Sequence, residues 1–251
     1  PLTLYAPAKV NLTLTVGDRR PDGYHDVSTV MQAVGLYDTL ILTHGGAGLT
    51  LTCTDPAVPS DATNLVLRAA GRFFEETKLP VPDLHLHLRK RIPSQAGLGG
   101  GSSDAACVLK VLNSLENGGL PPERLVELAG EIGSDIGFFI YGTACRCTGR
   151  GENVAPLPDW REWAPLLVLL KPSFGVSTPD AYRRWAGSRE LPGIPYGEQE
   201  VDGHVLVNDL EKPVFEKHLF LAEMKRWLLA RRGVRGAMMS GSGSTMFAVM
   251  E

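Results

Sequence analysis

The chain has 251 residues, 43% of them apolar and 21% charged, an ordinary composition for a globular protein with a sizeable core. Its net charge is −3 and it has no long basic run, so we expect no nucleic acid as its main partner. The longest apolar run, residues 166–170, is far too short to span a bilayer, and residues 1–5 lack a secretory signal pattern, so we expect no membrane partner.

The four cysteines are Cys53, Cys107, Cys145 and Cys147, and none forms a C-x-x-C pair. Cys145 and Cys147 lie two residues apart on one face of a predicted strand, where they are poorly placed to join in a disulfide. Free thiols in a reducing compartment are the simplest interpretation. We therefore expect a cytoplasmic protein, and we expect it to be a monomer or a weak homodimer.

Strand-like alternation dominates the first fifty residues. Residues 2–16 predict one or two strands around Pro7, and residues 19–23, R-R-P-D-G, predict a turn. Residues 27–43 predict a strand, a turn and a second strand. Residues 49–53 alternate as a further strand.

A helix and a strand follow in the middle of the chain. Residues 65–78 predict an amphipathic helix with Asn64 at its N-cap, because asparagine accepts a hydrogen bond from the first free amides. Residues 84–88, L-H-L-H-L, alternate as a strand.

The rest of the chain mixes helices with short strands. We predict a helix at residues 121–131, a strand and turn at 144–150, a buried strand at 166–170, helical stretches within 181–185, 205–215 and 219–232, and two final strands that flank residues 240–245. The mixture has no regular βαβ rhythm, which favours an α+β fold in two lobes. The proline- and tryptophan-rich segment 156–165 gives the boundary, so we predict lobes at 1–155 and 156–251.

The most informative stretch is residues 93–106, P-S-Q-A-G-L-G-G-G-S-S-D-A-A. It lies between the strand at 84–88 and a predicted helix. We expect the N-cap of that helix from Ser102, Ser103 and Asp104. The helix presents an apolar face made of Ala105, Val108, Leu109, Leu112 and Leu115. A glycine loop that leads into a helix N-terminus binds anions well, since free N–H groups and the helix dipole both favour negative charge.

Two well-known phosphate motifs do not fit this loop. A P-loop needs a lysine beside its last glycine, and none follows Gly101. The dinucleotide fingerprint G-x-G-x-x-G would have serine, Ser102, in place of its third glycine. A flexible glycine linker is the remaining alternative, but linkers seldom separate a clean strand from an amphipathic helix.

Two charged residues lie in apolar surroundings. Lys9 lies inside an apolar strand, and Asp135 lies inside the apolar segment 133–139. A charge with apolar neighbours is costly to bury unless it is paired, so the two side chains are candidates to pair with each other. The alternatives are a purely structural ion pair, or a Lys9 side chain that reaches solvent.

Residues 240–245, S-G-S-G-S-T, supply small residues and hydroxyl donors, so we expect this loop near a ligand. A tight turn between two strands is the alternative.

His85 and His87 form the pattern H-x-H, which can bind a metal ion. No third ligand lies nearby in the sequence, so we predict no metal site there.

Taken together, these segments resemble the GHMP small-molecule kinases, named for galactokinase, homoserine kinase, mevalonate kinase and phosphomevalonate kinase. The resemblance covers nearly the whole chain. It rests on A-P-A-K-V-N-L at 6–12, R-P-D-G-Y-H at 20–25, N-L-V at 64–66, G-L-G-G-G-S-S-D-A-A at 97–106, G-S-D at 133–135, N-D-L-E at 208–211 and M-S-G-S-G at 239–243.

The resemblance implies a kinase of two lobes, the first like domain 2 of ribosomal protein S5 and the second ferredoxin-like. It implies ATP as co-substrate, with Mg²⁺ accompanying it and no dedicated protein cage for the metal. The catalytic residues would be Lys9 and Asp135. The implied ATP-binding residues are Asn64, Lys90, Pro93, Ser94, Gln95, Ala96, Gly97, Leu98, Gly99, Gly100, Gly101, Ser102 and Ser103.

The turn motif at 20–25 and the box at 208–211 resemble one branch of the family, whose substrate is a small molecule with a cytidine diphosphate group. The acceptor in that branch is a tertiary alcohol. The substrate-binding residues implied are Asn11, Tyr24, His25, Tyr182, Ser240, Gly241, Ser242 and Gly243. A different GHMP kinase, acting on mevalonate or homoserine, and an RNA-binding S5-like protein stay as alternatives.

Overall fold

Two β-sheets organise the chain. The computed structural model describes residues 1–160 and 162–251. An eight-stranded sheet has the core order β3-β4-β2-β1-β9-β8, with β5 and β6 added beside β2, and a three-stranded sheet has the order β10-β11-β7. The strands are β1 (Leu2–Arg19), β2 (His25–His44), β3 (Leu49–Cys53), β4 (Leu84–Arg89), β5 (Cys145–Gly149), β6 (Asn153–Pro156), β7 (Leu167–Leu170), β8 (Gln199–Val201), β9 (His204–Asn208), β10 (Val234–Met239) and β11 (Met246–Met250).

Seven α-helices cover the sheets in the described part of the chain. They are α1 (Leu65–Thr77), α2 (Gly100–Leu115), α3 (Pro122–Ile132), α4 (Ile136–Tyr141), α5 (Thr178–Trp185), α6 (Glu211–Lys217) and α7 (Leu219–Leu229). The predicted cap of α1 is confirmed, since the Asn64 side chain accepts a hydrogen bond from the amide of Val66. No helix in the residues described has the length and apolar character that crossing a bilayer requires.

The turn predicted within residues 27–43 is wrong, because β2 is one continuous strand of 20 residues. Its partner β1 is also continuous, and the register shifts between Pro7 and Ala8, which absorbs the extra residues of β2 as a bulge. The two ends of β2 then have different second partners: β5 pairs with its first part and β4 with its last. Strand β1 contacts both the glycine loop, through the bond from the Lys9 amide to the Leu98 carbonyl, and Asp135, through the Lys9 side chain.

The helical stretch predicted within residues 205–215 is confirmed as the start of α6, and the first part of that range is the strand β9, which extends the large sheet. Two other expectations are corrected. Strand β7 lies at the edge of the small sheet, so it is not buried: Val168 keeps 37% of its surface exposed. Leu115 ends α2 beyond the core and is also exposed, whereas Val108, Leu109 and the other predicted apolar positions of this helix are buried.

The core has a middle layer in which the two sheets meet. Ala8, Val10 and Leu12 of β1 pack there with Met238 of β10 and Phe247 of β11, and all five are buried. Strand β9 runs parallel to β1 in the large sheet, so the C-terminal half of the chain contributes to the N-terminal sheet as well. The division at residues 155 and 156 stays a prediction.

Candidate active site

A cavity of about 1490 Å³ opens where β1, the glycine loop (residues 93–99), the start of α4, the start of α5 and the serine loop (residues 240–245) converge. Most of the predicted site residues line it. They are Lys9, Asn11, Tyr24, His25, Lys90, Pro93, Ser94, Gln95, Ala96, Gly97, Gly99, Gly100, Gly101, Ser102, Asp135, Tyr182, Gly241, Ser242 and Gly243. Four predicted residues, Asn64, Leu98, Ser103 and Ser240, do not line it, and all four are buried.

The glycine loop packs directly on the backbone of the serine loop. The Ser240 hydroxyl donates to the carbonyl of Gly97 at 2.8 Å, and the amide of Thr245 donates to the carbonyl of Ala96 at 3.1 Å. Gly97 has a φ of 75°, and a Cβ at this position would lie only 2.0 Å from the Ser240 carbonyl oxygen. Only glycine fits this approach.

The helix α2 begins earlier than its polar residues predict. Its N-cap is Gly99, with a φ of 70° and no side-chain cap, and the amide of Ser103 donates to the Gly99 carbonyl at 2.9 Å. Ser102, Ser103 and Asp104 therefore lie in the first turn of the helix, and the prediction that they cap it is wrong. The amides of the three preceding helical positions, residues 100–102, have no helical acceptor, and these residues line the cavity, so this end can bind an anion.

A buried ionic cluster, which sequence reasoning missed, supports the start of α2 from below. The Lys90 ammonium donates to Asp104 at 2.8 Å and also pairs with Asp38, which accepts from the amides of Arg91 and Ile92. Burial raises the pKa of Asp104 to about 7 although Lys90 opposes the shift. The pKa of Lys90 is itself raised, since its two carboxylate partners outweigh the effect of burial.

Two of the predicted ATP-binding residues, Lys90 and Asn64, already have protein partners. The Lys90 ammonium is held by two carboxylates, although Lys90 still lines the cavity. The amide of Asn64 is used to cap α1 and to donate to the carbonyl of Pro59. The structure thus gives Asn64 a structural role, and its contact with ATP, like that of Lys90, stays a prediction.

Lys9 and Asp135 meet at the floor of the cavity, which confirms the predicted pair. The Lys9 ammonium lies 3.7 Å from a carboxylate oxygen of Asp135. Lys9 is 3% exposed, whereas the Asp135 side chain is 42% exposed to the cavity side. Burial lowers the pKa of Lys9, and the negative charge of Asp135 partly offsets that effect.

The backbone places both groups. The amide of Lys9 donates to the carbonyl of Leu98 at 2.9 Å, which ties β1 to the glycine loop. The Lys9 ammonium also donates to the Asn11 side-chain oxygen at 2.5 Å, and the Asn11 amide donates to the Thr29 hydroxyl at 2.8 Å. Asp135 occupies the N-cap position of α4. The Lys9 ammonium is therefore held by two side chains, those of Asn11 and Asp135.

The far end of the cavity is aromatic. The His25 ring is stacked against Tyr182, with centroids 6.1 Å apart, and meets Trp185 edge-on at 5.6 Å. The Arg150 guanidinium lies over the Tyr24 ring at 5.3 Å. Sequence reasoning missed Trp185 and Arg150. The position of Trp185 could have been predicted, because it follows Tyr182 by three residues on one helix and therefore shares its face.

The described residues contain no group of three or more His, Cys, Asp or Glu side chains that could hold a metal ion. His85 and His87 instead hydrogen-bond the hydroxyls of Thr50 and Thr52 on β3. That the protein supplies no dedicated metal cage stays a prediction. Magnesium often binds through substrate phosphates with few protein ligands.

The family of GHMP kinases matches this chain in two parts. Its N-terminal domain matches residues 64–143, which include the glycine loop and Asp135, and its C-terminal domain matches residues 197–251, which include the serine loop.

Individual relatives extend the likeness over the whole chain. A protein named 4-diphosphocytidyl-2-C-methyl-D-erythritol kinase from Synechococcus sp. (strain JA-3-3Ab) is 39% identical over 99% of this chain and 84% of its own length. A crystal structure of 4-(cytidine 5'-diphospho)-2C-methyl-D-erythritol kinase superposes with a TM-score of 0.78 and 35% identity, and covers 100% of this chain and 90% of that one. A homoserine kinase from Cytophaga hutchinsonii shares the fold, with a TM-score of 0.65, 17% identity, and coverage of 98% and 84%.

Replacing Gly97 by alanine tests the contact between the two loops. We expect Gly97→Ala to lower the free energy of unfolding by about 1–3 kcal/mol, from strain at its positive φ, and to weaken ATP binding because the loops are forced apart. Denaturant unfolding and calorimetric titration with ATP measure the two effects. The control is Gly71→Ala in α1, where a Cβ meets nothing within 4 Å. Equal behaviour of the two variants would contradict the contact.

Proposed function

We propose, because this chain belongs to the GHMP kinase family, that it transfers the γ-phosphoryl group of ATP to the 2-hydroxyl of 4-diphosphocytidyl-2-C-methyl-D-erythritol. The products are ADP and the 2-phosphate, a step in non-mevalonate isoprenoid precursor synthesis. The chain is a small-molecule kinase that uses ATP as co-substrate. A cytoplasmic location and a monomeric or weakly dimeric state belong to the same proposal.

One observation carries the chemistry: the Lys9–Asp135 pair and the free amides of residues 100–102 line one cavity. Phosphoryl transfer asks for positioning and charge neutralisation more than for covalent work by the protein. The start of α2 offers N–H donors and a positive dipole end to the phosphates. A buried ammonium beside a carboxylate offers a cation and a proton acceptor to the alcohol.

In the proposed step the alcohol oxygen forms a bond to the γ-phosphorus, and the bond from that phosphorus to the bridging oxygen of ADP breaks. The proton of the alcohol passes to Asp135, or is oriented by it. Lys9 stabilises the negative charge that develops on the alcohol oxygen, because its ammonium is desolvated and its charge is little screened. Magnesium, when bound with ATP, neutralises the phosphate charge.

The aromatic end of the cavity supports recognition of a nucleobase. A cytosine ring needs a flat apolar partner and hydrogen bonds to its edge, and His25 and Tyr182, which both line the cavity, offer both kinds of group. Asn11 lies beside Lys9 and is the candidate to contact the methylerythritol part. The cavity thus has one end suited to a base and one end suited to an alcohol and a phosphate.

The relatives favour this acceptor over others of the family. Relatives at 39% identity over 99% of the chain carry the cytidyl-erythritol kinase name, whereas the homoserine and mevalonate kinases with similar folds are 13–17% identical and support the fold alone. No observation on the described residues favours RNA binding.

The direct test measures ADP release in a coupled assay with four alcohols in parallel: the cytidine diphosphate substrate, methylerythritol without the nucleotide, mevalonate and homoserine. We expect turnover only with the first. Turnover with mevalonate or homoserine, and none with the cytidine diphosphate substrate, would refute the proposed acceptor. It would still support a kinase activity for this chain.

Asp135→Asn tests the proton acceptor. We expect kcat to fall by about 10²–10⁴-fold, because the amide cannot take the proton, while the Kd of the cytidine substrate changes little. Steady-state kinetics and calorimetry separate the two quantities. Asp159→Asn, at an exposed carboxylate outside the cavity, is the matched control. A wild-type kcat in Asp135→Asn would remove this residue from the mechanism.

The same variant has a pH signature. Lys9 acts while protonated, so activity is lost as pH rises through the pKa of Lys9, which burial already lowers. Removing the charge of Asp135 removes the main effect that opposes this lowering. The alkaline limb of the residual kcat profile is therefore expected at lower pH in Asp135→Asn than in the wild-type enzyme.

His25→Ala tests the nucleobase end. We expect the Kd of the cytidine substrate to rise about tenfold, equivalent to about 1.4 kcal/mol of lost hydrogen bonding and stacking, while the Kd of ATP is unchanged. Calorimetric titration measures both. His44→Ala, an exposed histidine at the opposite end of the same strand, is the matched control. Unchanged substrate affinity in His25→Ala would contradict this role.

A further inference from the structure

Three of the four residues of the N-D-L-E box at 208–211 do not line the cavity. The polar side chains of all three nevertheless make hydrogen bonds within the protein. The side-chain amide of Asn208 donates to two carbonyls, that of Met239 at 2.7 Å and that of Gly241 at 2.8 Å. Its oxygen accepts from the amide of Leu210 at 2.9 Å. Asn208 is only 2% exposed, so water does not replace these bonds.

The two carbonyls that Asn208 binds are on either side of Ser240, at the point where β10 ends and the serine loop begins. A second anchor lies next to the first: Glu211 accepts from the amide of Met239 at 2.9 Å and pairs with the buried Lys225 at 2.5 Å. The backbone at residues 239–241 is thus held from one side by two fully buried polar groups.

The serine loop in turn touches the reacting groups. A Cβ at Gly241 would lie 3.1 Å from the Asn11 side-chain oxygen and 3.4 Å from the Lys9 ammonium. The Ser240 hydroxyl accepts from the amide of Asn11 at 3.3 Å and donates to the carbonyl of Gly97. A shift of the backbone at residue 241 would therefore move the surroundings of Lys9 and the glycine loop together.

The geometry suits an amide side chain. Two carbonyl oxygens face the side chain of residue 208, so it must present two donors, and the Leu210 amide requires an acceptor on the same group. Asparagine has this set of groups at this length. A carboxylate has no donor and would face two carbonyl oxygens, and a hydroxyl donates one hydrogen.

We propose that Asn208 is a positioning residue for phosphoryl transfer, which holds the serine loop in register with Lys9 and the glycine loop without touching either substrate. The proposal rests on the proposed function for the identity of the reaction, but not for the identity of the alcohol. Misplacement of catalytic groups by about 1 Å can cost about 100-fold in rate, so a distant anchor of this loop is expected to act on kcat.

The test compares Asn208→Asp with Gln199→Glu. Gln199, on β8, is the control because its side-chain amide also binds the backbone of β10: it donates to the carbonyl of Ala237 and accepts from its amide, and neither residue lines the cavity. Each substitution replaces an amide by a carboxylate, on β9 for Asn208 and on β8 for Gln199. We expect a lower Tm in both variants, with the larger loss in Asn208→Asp because its carboxylate is buried against two carbonyls, and a fall in kcat of about 100-fold in Asn208→Asp alone, with the KM of the cytidine substrate within about twofold of wild type.

Asn208→Ser keeps one donor and adds no charge, so it carries the test if Asn208→Asp does not fold. We expect it to lose kcat about tenfold while its Tm stays close to that of Gln199→Glu. A wild-type kcat in the folded Asn208 variants, or an equal loss of kcat in Gln199→Glu, would overturn the positioning role.

The wild-type enzyme is assayed first with the four alcohols, which separates this proposal from the proposed function. If the cytidine substrate is not turned over and another alcohol is, the proposed acceptor fails, and the same comparison of kcat is made with the alcohol that reacts.

Discussion

The buried ammonium group of Lys9 constrains the rest of the site. An isolated charge in a protein interior is costly, and a lysine in that position would lose its proton unless polar groups surround it. Asn11 on the same strand and Asp135 at the start of α4 provide those groups, and the serine loop packs beside them at Gly241. The three segments come from the beginning, the middle and the end of the chain. They meet around one desolvated charge, at the cavity.

The approach of the segments depends on backbone contact without side chains between them. Gly97 lies against the Ser240 carbonyl, and Gly99 lies against the side chains of Phe139 and Lys9. Glycine at these points lets β1, the glycine loop and the serine loop pack within hydrogen-bonding distance, so that amide groups at the start of α2 stay free for a ligand. The fold thus uses the same residues for close packing and for anion binding, and a larger side chain would disturb both.

Buried polar groups outside the reacting centre hold this arrangement. The cluster of Lys90, Asp38 and Asp104 lies beneath the first turn of α2, and the pair of Glu211 and Lys225 lies behind the serine loop. Breaking a buried ion pair usually costs several kcal/mol, whereas the paired groups contribute little net stability. Such clusters are better understood as constraints on geometry: each fixes one of the two loops that face the cavity.

The sequence by itself determined the α+β class, most helix positions, the glycine loop that leads into a helix and the two charged residues that meet in the cavity, because each depends on local composition, periodicity or an unpaired charge in an apolar segment. It did not determine the N-cap of α2, because the cap is Gly99, a glycine at positive φ, and not one of the polar residues that follow it. It also did not predict the continuity of β2, which depends on pairing with β1 along its length. The partners of Lys90, the stack of His25 on Tyr182 and the bonds of Asn208 were decided only by the tertiary structure, because they join residues that are far apart in the chain and whose individual patterns carry no information about each other.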